Sequence, residues 1–216
     1  ATDPRLQFKD VGVPIMRIMS QSDYLLGIDG RRGDSDAPND RYRHYEMAGA
    51  AHATPDELEF SAAPADIIKA GRDVPPSSCN EGPRSRFPSH IFFDAAVRNL
   101  DAWVRHRIPP PHAAPITVDN GAPKLDEFGN VVGGLRSPYV DVPTSTWFGS
   151  STGASFCFIA GHEVPFDEAT LRGLYPTHGD YVGKVAKDTL RLVAGRYITA
   201  YDGIEIIREA AAAPVP

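Results

Sequence analysis

Apolar residues are spaced in different ways along this chain, and each spacing predicts a different element. "VGVPIMRIMS", residues 11–20, is an almost continuous apolar run with a proline near its edge. That predicts a strand covered on both faces of a parallel sheet. In "HYEMAGAAHA", residues 44–53, His44, Glu46 and Ala48 alternate with Tyr45 and Met47, the pattern of a half-buried strand. This strand runs into Gly49, Ala50 and Ala51, which clear away bulk before His52. "SHIFFDAAVRNLDAWVRHR", residues 89–107, places Phe92, Ala96, Leu100, Trp103 and Val104 on one face and ends at "IPPP". It is the clearest helix. Further helices are expected at "TPDELEF" (54–60), at 167–174, at about 177–194 and near 203–212.

From residue 108 the texture changes to short strands and turns, including a hairpin suggested by "DEFGNVVGG" (126–134) and strands at "TSTWFG" (144–149) and "ASFCFIAG" (154–161). "QSDYLLGIDGRRGDSDAPNDR" (21–41) is dense in Gly, Asp and Asn, and predicts a long surface loop. The expected organisation is a first part, 1–107, and a strand, hairpin and helical extension, 108–216, packed on the same domain.

Composition narrows the classes. The 216 residues suffice for a sizeable core, and 42% hydrophobic with 23% charged residues is ordinary for a globular protein. A net charge of −6 gives no basic footprint for nucleic acid. No apolar run approaches the ~20 residues of a membrane span. Cys79 and Cys157 lack metal-site spacing. They are either a disulfide, which would point to a secreted or periplasmic setting, or two buried thiols. No H-E-x-x-H or paired-histidine spacing appears, so no metal and no cofactor is expected.

Candidate chemistry gathers after the two strands. The first ends in "SQSD", placing Asp23 just past its carboxyl end, where α/β sheets collect catalytic groups. The separation from Asp23 to His52 is 52 − 23 = 29 residues, room for a loop or helix and one returning strand. Parallel neighbours would then present a carboxylate beside an imidazole, the acid fixing the ring tautomer and the base accepting a nucleophile's proton. Asp29, Asp34 and Asp36 are rivals for the acid, with a solvated loop as their default. His44, His90, His106, His112, His162 and His178 lack an acid-and-strand context and take surface or structural roles. Phe92, Phe93, Trp103 and Trp147 could line an acyl pocket, although core packing suits most of them better.

These segments, with "GNVVGGLRSPYVDVPTSTW" and "VPFDEATLRGLYPTHGDYV", resemble the carboxyl-terminal half of the α/β-hydrolase domain-containing proteins, over nearly the whole chain. "AGAAHA" and "GGLRSPYVDVPT" carry the resemblance most specifically. It implies an α/β fold whose triad runs in the order nucleophile, acid, histidine, so that Asp23 matches the acid and His52 the histidine. The family's acid turn often carries a glutamate where Gln21 stands. The resemblance further implies a serine hydrolase acting on a carboxylic ester or lactone, with an amide as the close second.

"GSSTG", residues 149–153, fits G-x-S-x-G with Ser151 at its centre. A nucleophile elbow needs a helix directly after it, and "ASFCFIAG" reads as another strand. Ser151 is therefore the lesser alternative. Because "PIMRIM" wants paired strands beside it and cover on both faces, the nucleophile is expected on an amino-terminal segment outside these residues. The 216 residues alone should then be inactive. The competing class is a non-catalytic binding or assembly module, in which His52 merely packs.

Overall fold

The structure is a computed structural model and describes residues 11–23, 31–54, 63–74 and 78–216. The expected helix at 54–60 falls almost wholly outside them; a short helix α1, Pro64–Lys69, follows it.

Among the described residues the main sheet has three strands: β1 (Ile15–Ser20), β2 (Ser35–Ala37) and β3 (Asp40–Met47), in the order β1-β3-β2. The apolar run and the alternating run are parallel neighbours, from Ile15 opposite Tyr42 to Ser20 opposite Met47. Both strands therefore end at the same edge. The other side of β3 is taken by antiparallel β2 at its start and by a bridge from Met47 to Leu135 at its end. Among the described residues β1 pairs only with β3.

A small hairpin, β4 (Ser78–Cys79) and β5 (Gly82–Pro83), leads to α2, His90–His106. This helix lies against β1 and buries Ile91, Phe92, Ala95, Ala96, Asn99 and Trp103. Arg107 ends it in the left-handed region, at φ 58°. Next come β6 (Val118–Asp119) and β7 (Ala122–Pro123), turned by Asn120 and Gly121, whose positive φ values of 49° and 81° suit a tight hairpin. Over "DEFGNVVGG" the backbone forms isolated antiparallel bridges, Val131 to Leu125 and Gly133 to Ile116, in place of a hairpin of two strands.

A helical turn α3 (Pro138–Asp141) precedes β8 (Ser145–Phe148), which pairs antiparallel with β9 (His162–Pro165). Residues 154–161 are not a strand. They contain one helical turn, α4 (Cys157–Ala160), with Cys157 and Ala160 inward and Phe156 and Phe158 exposed. Their apolar content misleads because only part of it is buried.

Three helices close the chain: α5 (Glu168–Leu174), α6 (His178–Ala194) and α7 (Ala200–Ala212). The last begins three residues before the expected start because Thr199 and Asp202 form a capping box. Gly203 is thus inside the helix. A Cβ there would stand 2.9 Å from Val193 Cγ2 and 3.1 Å from Thr189 Cγ2, so the glycine lets α6 and α7 approach. One apolar cluster runs from Tyr45 and Met47 through Phe92 and Trp147 to Ile206 and Val215. Cys79 and Cys157 form a disulfide, with Cα atoms 5.7 Å apart.

Candidate active site

Because β1 and β3 are parallel and in register, the turns after them lie side by side. Asp23 Oδ1 is 2.8 Å from His52 Nδ1. The other carboxylate oxygen, Oδ2, accepts from the Ser20 backbone N–H at 2.8 Å and from Ser20 Oγ at 2.9 Å. Ser22 Oγ accepts the His52 backbone N–H, also at 2.8 Å. The "SQSD" turn thus holds both members of the pair. Two serines missed as site residues, Ser20 and Ser22, supply the fastening. Gln21 points elsewhere: its Oε1 accepts from the Gly49 N–H and its own N–H donates to the Ala50 carbonyl, tying the two turns together.

The small residues before His52 do not clear room for its ring. That side chain is 55% exposed. Ala48, Ala50 and Ala51 are buried, and Gly49, at φ 82°, leaves space for the Phe87 ring, whose Cε2 would come within 2.8 Å of a Cβ. The space belongs to the core, and the imidazole stands above it. Among the described residues nothing bonds His52 Nε2. With Nδ1 held by a carboxylate, that nitrogen can take and return a proton.

A second carboxylate–histidine pair lies on β3 itself. His44 Nε2 meets Glu46 Oε1 at 2.8 Å, and both side chains are buried. Arg31 bonds the same carboxylate through two nitrogens, at 2.6 and 2.5 Å, and the Ile116 N–H adds a third donor. Burial alone would raise the Glu46 pKa, but the bonds from His44, Arg31 and Ile116 outweigh it and hold the group at about 2. His44 therefore does have an acid and a strand, contrary to expectation. A cavity of about 500 Å³ is lined by His44, between Arg31–Asp34 and His112–Pro115.

Asp34 and Asp36, the rivals for the catalytic acid, bond groups other than His52; Asp34 is largely covered at 15% exposure, while Asp36 keeps a solvated side chain at 45%. They flank the fully buried Arg43, at 3.2 and 2.6 Å, and both contact His112. Asp29 lies outside the described residues. Phe92, Trp103 and Trp147 are buried in the core, and Phe93 is exposed.

Ser151 sits in the loop joining β8 to β9. It is buried, and its Oγ lies 2.9 Å from Nδ1 of His162, whose ring stacks on Phe148. This is a serine–histidine hydrogen bond without an elbow. The chain turns back through 152–156 before α4 begins, and the Ser151 N–H is bonded to the Cys157 carbonyl.

A family model described as an alpha/beta hydrolase domain matches residues 1–208. The chain belongs to that family. No curated protein and no solved structure matches it. In this alpha/beta hydrolase domain the hydrogen-bonded Asp23 and His52 occupy the ends of neighbouring parallel strands, where sheets of this type gather reactive groups. No helix among the described residues is long and apolar enough to cross a membrane.

Proposed function

We propose that residues 11–53 supply the acid and base of a serine hydrolase, with Asp23 orienting His52. The observation that carries this is the 2.8 Å contact to Nδ1, combined with a ring more than half exposed. A binding module has no need to anchor one imidazole nitrogen and leave the other to solvent. The nucleophile comes from an amino-terminal segment outside this chain, in the family's order of serine, acid, histidine. The edge of β1 opposite β3 suits the docking of that segment, since no described strand pairs there.

The substrate is a carboxylic ester or lactone, with an amide second. Serine attacks the carbonyl, His52 Nε2 takes the serine proton, and the resulting imidazolium is held by Asp23. His52 then gives the proton to the leaving oxygen. The Cys79–Cys157 disulfide supports an oxidising compartment. The division at residue 107 is one of chain order, because the apolar cluster draws on both sides of it.

The test uses the full-length natural protein. A fluorophosphonate should label one serine upstream of residue 1 of this numbering, and His52→Ala should abolish the labelling while the protein stays folded. Labelling that survives His52→Ala would overturn the assignment.

A further inference from the structure

We infer that the loop joining β8 to β9 forms the wall that receives the apolar alkoxy chain of the ester, with Phe156 and Phe158 as its contact residues. This rests on the role given to His52 above.

The loop is built against the acid and histidine turns at three points. The Ala53 N–H donates to the Ile159 carbonyl at 3.1 Å, which sets the residue after His52 against the residue after Phe158. At the loop's start, a Cβ on Gly149 would lie 2.9 Å from both Gln21 Cβ and the Ser22 nitrogen. At its end, a Cβ on Gly161 would collide with the Phe148 carbonyl oxygen and lie 2.9 Å from Ala51 Cβ. Glycine is required at Gly161, where φ is 61°. The loop therefore lies on the turns that carry Asp23 and His52.

The same loop is held from behind. Cys157 is bonded to Cys79, the Asn80 N–H donates to the Thr152 carbonyl at 3.0 Å, and Thr152 donates to Glu81 from its N–H and its hydroxyl. Those donors hold the Glu81 carboxyl below its ordinary pKa. Ser151 and His162 close the base of the loop. Here the notable serine finds its role, as a clamp. Yet this fastened loop leaves Phe156 42% exposed and Phe158 53% exposed. Two large apolar rings on a secured backbone beside a polar site point to an apolar ligand.

The chemistry of the base selects which part of the ester lies there. His52 must protonate the leaving oxygen, so that oxygen comes within about 2.6–3.2 Å of Nε2 in the reacting complex. The alkyl group attached to it must then run over the surface flanking His52. The acyl chain, on the other side of the carbonyl, has no such obligation. The wall is accordingly specific for the alcohol half.

Two measurements test this. With the full-length enzyme, kcat/KM is compared for hexyl acetate, ethyl acetate and ethyl hexanoate. The hexyl-to-ethyl preference among acetates should fall about tenfold in Phe158→Ala or Phe156→Ala. The hexanoate-to-acetate preference among ethyl esters should move far less. Val97→Ala, an exposed apolar position on α2, serves as the control. An alcohol-side preference unchanged in both phenylalanine variants overturns the wall, and if His52→Ala is inactive the base assignment survives that loss. A fully active His52→Ala overturns both. Independently of turnover, 1-hexanol titrated into the full-length protein should shift the NMR signals of the His52 ring, and less so in the Phe158→Ala variant. Absence of any shift at saturating 1-hexanol overturns the inference.

Discussion

Two carboxylate–histidine pairs share this sheet at the same 2.8 Å separation, His44 with Glu46 and His52 with Asp23. Their surroundings separate them. Glu46 is buried and receives donors from His44, Arg31 and Ile116, which join β3 to two remote segments. Asp23 receives donors from its own turn, and its histidine faces solvent. A hydrogen-bonded carboxylate–imidazole pair is therefore no mark of catalysis by itself. What distinguishes the pair proposed for catalysis is a second ring nitrogen left open to solvent, on a scaffold that does not depend on the pair for its cohesion.

That distinction is open to attack, first where the effect is greatest. In the full-length enzyme, His52→Ala should lower kcat by about 10³-fold or more with little change in thermal midpoint. Steady-state kinetics beside a thermal melt decides it, and a fall in stability without a fall in turnover would exchange the roles of the two pairs.

The converse expectation concerns Glu46→Ala. Removing one partner of a buried ion pair costs about 3–5 kcal/mol, measurable by urea unfolding. Turnover per folded molecule should change little. Acid provides a gentler version of the same perturbation. Glu46 has a folded-state pKa of about 2 against an ordinary value of 4.5, so its contribution is complete above 4.5 and disappears as pH falls toward 2. Glu46→Gln should flatten the pH dependence of stability across that window, by up to about 3 kcal/mol between its ends. A wild-type slope that persists in the variant would show that other carboxylates set it.

The smallest effect belongs to the third histidine contact. Ser151→Ala removes one buried hydrogen bond, worth about 1 kcal/mol, and should leave turnover within a few-fold. A loss of several orders of magnitude in a folded variant would make Ser151 the nucleophile.

Much of the site was legible because local pattern and topology agree there. An almost continuous apolar strand, an alternating strand and a separation of 29 residues suffice to place Asp23 next to His52. The helix expected at 89–107 is found at 90–106, since its apolar spacing and its proline stop act locally. Arg43 was not legible. A fully buried arginine in mid-strand depends on Asp34, Asp36 and the Pro110 carbonyl, groups that only the fold assembles. The pairing of His44 with Glu46 escaped for a related reason: i and i+2 share a face of a strand, but the burial that makes the contact structural comes from Arg31 and Ile116. At 154–161, apolar character mimics a strand, although half of it faces outward on a single helical turn. The capping box at Thr199 was visible as Thr-x-x-Asp and moves the start of α7 ahead of Gly203.

The disulfide also determines how the molecule would respond to being pulled. Cys79 and Cys157 are 78 positions apart, and α2, both small hairpin strands β6 and β7, and β8 lie between them. A force applied at the two ends of the chain passes through the sulfur bridge and bypasses this whole stretch. Roughly 280 Å of contour, at up to ~3.6 Å per residue, is therefore withheld from extension while the bridge is intact. Under tension the polypeptide behaves as a tether of two outer arms, with residues 80–156 shielded from the load.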